Sequence, residues 1–139
     1  MSFHAKVVAA AAVVLSVAFG LVFLLRSSDE EAIEELLREG ARAASLQDAA
    51  AVEALLSKSF RSSEGDYDWA VRRIRRALAQ PAGQIEAAPG PIQIQGEEAS
   101  ARVRLRAKAG PYGVGEADFD FRFRKESGAW KVVSAEEVK

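Results

Sequence analysis

Two runs near the C-terminus, Glu98 to Ala109 and Glu116 to Arg124, are apolar at every second residue. Ala99, Ala101, Val103, Leu105, Ala107 and Ala109 share one parity of the first run, and Ala117, Phe119, Phe121 and Phe123 one parity of the second. Alternation this long means two β-strands with one wet face and one dry face, because successive strand side chains point to opposite sides. The dry face needs a cover, which the upstream chain must supply.

Charges on the wet face predict how the two strands pair. In one register Arg106 meets Glu116, Arg104 meets Asp118, Arg102 meets Asp120, Ser100 meets Arg122 and Glu98 meets Arg124. A slip by two residues would set Arg102 against Arg122 and Glu98 against Glu126. The first register avoids like-charge pairs and is expected. Each exposed opposite-charge pair contributes only about 0.2–1 kcal/mol, so the pairs serve to specify pairing and to neutralise an arginine row that could otherwise bind anions.

Other strands flank this pair. Ile85 and Ala87 begin one that Pro89-Gly90-Pro91 interrupts, which marks an edge or kinked strand, and Ile92 and Ile94 resume the alternation. With Gly96-Glu97 as the centre of a type II′ turn, Ile94 faces Ala99 and Ile92 faces Ala101. A last strand, Ala129 to Val138, places Trp130, Val132 and Ser134 on one parity. Four main strands are predicted.

The helices lie before the sheet. Ser28 and Glu31 have capping-box spacing, and Ile33, Leu36, Leu37, Gly40 and Ala44 recur at helical spacing in a helix that ends near Gln47. Asp48 caps a short second helix that turns Val52, Leu55, Leu56 and Phe60 inward. A third runs from about Asp66 to Gln80, stopped by Pro81, with Tyr67, Val71, Ile74 and Leu78 on its apolar side. Arg72, Arg73, Arg75 and Arg76 take the opposite arc, and Trp69 falls among them.

Val7 to Leu25 is an uncharged run of 19 residues between Lys6 and Arg26. As a helix it spans roughly 28 Å, close to the hydrocarbon thickness of a bilayer. A cleaved signal peptide would have a shorter apolar region ending in small residues, and the one such triplet, Ser16-Val17-Ala18, lies inside the run. The expectation is an N-terminal transmembrane helix, uncleaved and single-pass, in the inner (cytoplasmic) membrane. The short tail stays in the cytoplasm, so the domain lies on the periplasmic or extracytoplasmic side, although Arg26, Arg38 and Arg42 weigh against that orientation. Residues 1–28 are then tail, anchor and short linker, and residues 29–139 one folded domain.

Composition removes several chemistries. There is no cysteine, and the one histidine, His4, is in the N-terminal tail. No metal-ligand constellation, phosphate-binding glycine motif or cofactor signature is present. The balance of 19 basic and 20 acidic residues gives no reason to expect nucleic acid. Two features remain as candidate sites. Trp69 with Arg72, Arg73 and Arg76 is either a cation–π pair on a solvated face or a docking surface for an acidic protein partner or anionic lipid. Tyr112, in the loop GPYGVG, is either a turn residue or a ligand contact. Tyr67 is expected in the core.

Three helices followed by a meander of strands, with AVEALLSKSF in the second helix and GAWKVVSAE in the last strand, resembles the nuclear transport factor 2-like superfamily over roughly residues 29–138. SnoaL-like polyketide cyclases, ketosteroid isomerases, scytalone dehydratase and many bacterial domains share that fold. The resemblance implies an α+β domain whose helices pack on the concave side of a curved, mainly four-stranded antiparallel sheet. It also implies a pocket at the open end of the cone, lined here by Phe119, Phe121, Phe123 and Trp130. Isomerase and dehydratase relatives use acids, tyrosines or histidines inside the cone. The inward parity here offers none in its two best strands, so no catalytic residue is assigned. The expected function is a membrane-anchored, non-catalytic envelope domain for protein interaction or small-ligand binding. The alternatives are an isomerase or lyase using the apolar cone, or a scaffold subunit of an envelope assembly or secretion complex.

Overall fold

The computed structural model describes residues 28–81, 83–108 and 114–139. Three helices precede the sheet: α1 over 28–45, α2 over Ala49–Glu53 and α3 over Tyr67–Leu78. The strands are β1 (Ile85–Pro89), β2 (Gln93–Gln95), β3 (Glu98–Lys108), β4 (Val114–Glu126) and β5 (Ala129–Glu137). The domain is α+β, with three helices on one antiparallel sheet ordered β1-β3-β4-β5.

There are five strands against four expected, because one edge is broken in two. β1 and β2 both pair with β3, from Ile85↔Ala107 to Pro89↔Val103 and then from Gln93↔Ser100 to Gln95↔Glu98. Proline has no N–H for the ladder, so Pro89 and Pro91 interrupt it, while the Gly90 N–H donates to the Arg102 carbonyl at 2.8 Å across the gap. Gly96 has φ 63°, and Ile94 faces Ala99 across its turn. A β-carbon disfavours that φ, which explains a glycine there.

The β3–β4 register is the one that the charges predict, from Glu98↔Arg124 through Arg102↔Asp120 and Arg104↔Asp118 to Arg106↔Glu116. The arginines of the last three pairs reach their carboxylates at 3.0, 2.9 and 3.2 Å.

β4 turns into β5 through Ser127-Gly128, both left-handed (φ 50° and 82°), the signature of a type I′ hairpin. Phe123 pairs with Val132 but Arg122 with Ser134, so Val133 is the extra residue of a β-bulge. The bulge corrects the simple parity of the last strand: Ser134 stands opposite Arg122 on the wet face, and Ala135 takes the inward place.

The core lies between α1 and the dry face. Ile33, Leu36 and Leu37 of α1 meet Ala99, Ala101 and Val103 of β3, Phe123 of β4, and Trp130 and Val132 of β5. Ile33 and Val103 are wholly buried and Phe123 nearly so. Burial of each such side chain stabilises by about 1.5–3 kcal/mol. Residue 28 is already helical, so Ser28 does not cap α1.

Asp48 caps α2 by accepting from the Ala51 N–H, but the helix ends at Glu53, before Leu55 and Leu56. That early end lets the following chain run beside β5. The Ser57 N–H donates to the Val132 carbonyl, the Val132 N–H to the Leu55 carbonyl, and the Arg61 N–H to the Val133 carbonyl, all at 2.9–3.0 Å. The outer edge of β5 is thereby partly covered. Among the described residues no helix is long and apolar enough to cross a membrane. Val7–Leu25 and Tyr112 lie outside the described residues.

Candidate functional site

Helix α3 starts where the Asp66 side chain accepts from the Trp69 N–H. It buries Ala70, Val71 and Leu78 and turns Arg72, Arg73, Arg75 and Arg76 outward. Between it, α1, the α2 segment and the sheet is an apolar cavity of about 370 Å³, at the small end of the usual range for ligand sites. Leu37 and Ala44 of α1, Leu55, Ile74 of α3, and Phe119 and Phe121 of β4 are among its walls.

Among the described residues the wall is made of apolar side chains, a glycine and the aliphatic stem of Arg73, whose guanidinium lies over Trp69, outside the lining. No described lining residue is an acid, a histidine, a tyrosine or a serine. Asp118 and Asp120 are on the opposite face, engaged by Arg104 and Arg102. The cavity can hold an apolar body; its described wall has no group that could take up or deliver a proton.

The four expected pocket residues divide. Phe119 and Phe121 line the cavity, whereas Phe123 and Trp130 are packed in the core, 1% and 6% exposed. The phenylalanines nevertheless form one row, with centroids 6.1 Å apart from Phe119 to Phe121 and 6.0 Å from Phe121 to Phe123. The core grades into the cavity along that row. Trp130 closes the other end: its Nε1–H donates to Asp29 Oδ1 at 3.2 Å, and Lys125 Nζ reaches the same oxygen at 3.3 Å.

Trp69 departs from the helical-wheel reading. It is half-buried and packs against the core, with its ring folded over Gly65. Glycine permits that approach, since a β-carbon at position 65 would run into the Trp69 Cβ and ring. The Arg73 guanidinium lies over the indole, 5.8 Å from its centroid. Arg75 is held by Glu53 at 2.7 Å, whereas Arg72 and Arg76 are exposed with no ion pair among the described residues. The sequence reading missed Arg73 as a cavity residue. Its spacing carried a signal, four residues before the cavity residue Ala77, because i, i+4 neighbours share a helix face.

Two polar groups near α3 are structural. Tyr67 packs against the core, and its hydroxyl accepts from Lys58 Nζ at 2.9 Å. Ser57, 2% exposed, donates to Glu126 Oε2 at 2.9 Å and accepts from the Ser59 N–H. A serine bonded to a carboxylate, with no base between them, is a satisfied hydroxyl and no activated nucleophile. Among the described residues no buried side-chain polar atom lacks a partner, and no cluster of acids or histidines could hold a metal ion.

An NTF2-like protein of unknown function from Shewanella oneidensis superposes with a TM-score of 0.70 at 13% identity, covering 80% of this chain and 99% of its own. The domain has the NTF2-like fold. An NTF2-like protein with a cystatin-like fold from Novosphingobium aromaticivorans matches with a TM-score of 0.66 at 21% identity, over 84% of this chain and 86% of its own. A protein of the same organism provisionally described as a scytalone dehydratase matches at 0.65 and 13% identity, over 81% and 84%. No protein-family model and no curated protein matches the chain. At these identities the NTF2-like likeness concerns architecture, and function has to come from the cavity itself.

Proposed function

We propose that this domain is a binding module for a small apolar molecule, held between α1, α3 and the Phe119–Phe121 segment of β4. The observation that supports it most is the cavity wall: about 370 Å³ bounded, among the described residues, by apolar side chains, a glycine and the stem of Arg73. Binding is favoured over an isomerase or lyase reaction because a proton-transfer enzyme needs an acid or base within reach of its substrate. Mass spectrometry under native conditions tests the reading. The purified chain should carry or take up an apolar small molecule, and Ala44→Phe, which fills the cavity from α1, should abolish uptake. Equal uptake by both proteins would sink it.

We further propose that Val7–Leu25 anchors the domain in the inner membrane with residues 29–139 outside the cytoplasm. The support is the length and lack of charge of that run. Membrane fractionation, with a reporter active only outside the cytoplasm fused to the C-terminus, tests both parts.

A protein-partner surface on α3 is the second reading, favoured by the exposed Arg72 and Arg76, which have no carboxylate partner among the described residues. An acidic partner, such as a subunit of an envelope assembly, fits that charge. Arg72→Ala with Arg76→Ala should abolish an in-cell crosslink; an unchanged crosslink would exclude this surface.

A further inference from the structure

We propose that the wet face of the sheet carries a phosphate site centred on Arg122, separate from the apolar cavity. β4 turns Phe121 and Phe123 to the core side and Arg122 to the other, so the two sites lie on opposite faces of one strand.

Arg122 is the arginine that the charge pattern of this face leaves over. Arg102, Arg104, Arg106 and Arg124 each stand opposite a carboxylate of the neighbouring strand, at 2.9–3.9 Å. Arg122 stands opposite Ser100 on β3 and Ser134 on β5, so neither facing residue neutralises it, and it has no ion pair among the described residues. The bulge sets the second of these neighbours, because unbroken pairing would put Val133 opposite Arg122 and turn Ser134 inward.

A depression of about 220 Å³ adjoins Arg122, with Gln93, Gln95, Ser100 and Arg124 also among its walls. Glu98 lines it too and opposes an anion, but Arg124 is 3.9 Å from that carboxylate, and Arg122 leaves the depression with a net positive charge. The carboxylates on the far side of Arg122 are engaged: Asp120 by Arg102 at 3.0 Å and Glu136 by the Ser63 hydroxyl at 2.6 Å. An anion therefore sits on the side of Gln95. A carboxylate would be satisfied by the Arg122 fork alone, whereas a phosphate has further oxygens to accept from the Ser100 hydroxyl, the glutamine amides and Arg124. The small polar depression gives no seat to an acyl chain, so the phosphate is that of a water-soluble monoester.

Inorganic phosphate and acetate are the probes. Each is titrated at neutral pH and constant ionic strength into the full-length chain in dodecyl maltoside, a phosphate-free detergent, with the Arg122 Nε–H and the Ser100 amide followed by NMR. Phosphate should shift both to saturation and bind about fivefold more tightly than acetate. Read on the Ser100 amide, Arg122→Gln should weaken phosphate about tenfold. Ser100→Ala, read on the Arg122 Nε–H, should weaken it about threefold. Arg42→Gln, which removes an exposed arginine of α1, should leave the affinity unchanged.

Equal affinity for acetate and phosphate would show that the guanidinium acts alone and overturn the phosphate assignment. No shift with either probe, or the same phosphate affinity in Arg122→Gln as in the wild type, would overturn the site. So would a loss in Arg42→Gln as large as in Arg122→Gln, since binding would then follow general charge.

Discussion

Trp130 and Asp29, 101 residues apart, are joined by a hydrogen bond from the indole Nε1–H to Oδ1 at 3.2 Å. The bond fixes α1 at Asp29 against the last hairpin, and Lys125 shares the same oxygen. Trp130 is 6% exposed, so its N–H has little access to water if Asp29 is lost. Asp29→Ala should therefore cost about 1–3 kcal/mol, the penalty for an unsatisfied buried donor. Asp29→Asn keeps an acceptor and should cost clearly less. Urea unfolding of the two variants checks the order, and equal losses would show that the charge matters more than the bond to Trp130.

Gly65 and Trp69 form a coupled pair. Gly65→Ala puts a β-carbon into the Trp69 side chain and should cost about 1–3 kcal/mol by overpacking. Trp69→Ala should cost about 2 kcal/mol, because the ring is half-buried against the core. In the double variant the alanine at 65 still meets the β-carbon of residue 69 but no ring, so part of the clash is relieved and the two losses should fall short of their sum by about 0.5 kcal/mol. Strict additivity in thermal unfolding would show that the ring and Gly65 do not touch.

The wet face predicts a specific titration. Arg104 binds Asp118 through Nε and Nη2 at 2.9 and 3.3 Å, and that hydrogen bond, with the guanidinium charge, holds the Asp118 carboxyl below the usual carboxylate range. A depressed folded value means that the stabilisation is present above the unfolded value of about 3.9 and is lost as pH falls through the lower folded value. Side-chain NMR of Asp118 should give a midpoint below 3.9, and Arg104→Gln should raise it toward that value. The same midpoint in both proteins would remove Arg104 as the cause.

Phe123 and Phe119 share a strand face but should respond differently to truncation. Phe123→Ala empties a filled site and should cost about 3–5 kcal/mol. Phe119 borders space that already exists, so Phe119→Ala leaves less new cavity per atom removed and should cost about half as much. Thermal unfolding checks the ratio, and equal costs would place the boundary between core and cavity elsewhere along the row.

Much of the sheet was legible because its information is local. Alternation at i, i+2 marks β3 and β4, and the charges of Arg102, Arg104 and Arg106 select one register by excluding like-charge pairs. The broken edge was readable from Pro89 and Pro91, since a missing N–H has the same effect in any context. Helix α3 was bounded by Asp66 and Pro81 for equally local reasons.

The candidate site was only partly legible. Phe119 and Phe121 lie on the face where alternation places them, but whether such a face is packed or hollow depends on how closely the helices approach it. Phe123 and Trp130 obey the same parity and are core. The bulge at Val133 escaped because one unpaired residue leaves no compositional mark, and it carried Ser134 to the opposite face from the one parity assigned.

By itself the sequence determined the element types, the β3–β4 register, the chemistries absent from the chain, and an apolar run, Val7–Leu25, of bilayer length. Tertiary structure decided where the dry face is filled and where it is open, that Trp69 folds onto Gly65, and that the Arg73 guanidinium lies over that ring. The physical reason is range. Periodicity and turn chemistry act within a few residues, whereas a cavity is the volume left between segments as distant in the chain as Leu37, Ile74 and Phe121.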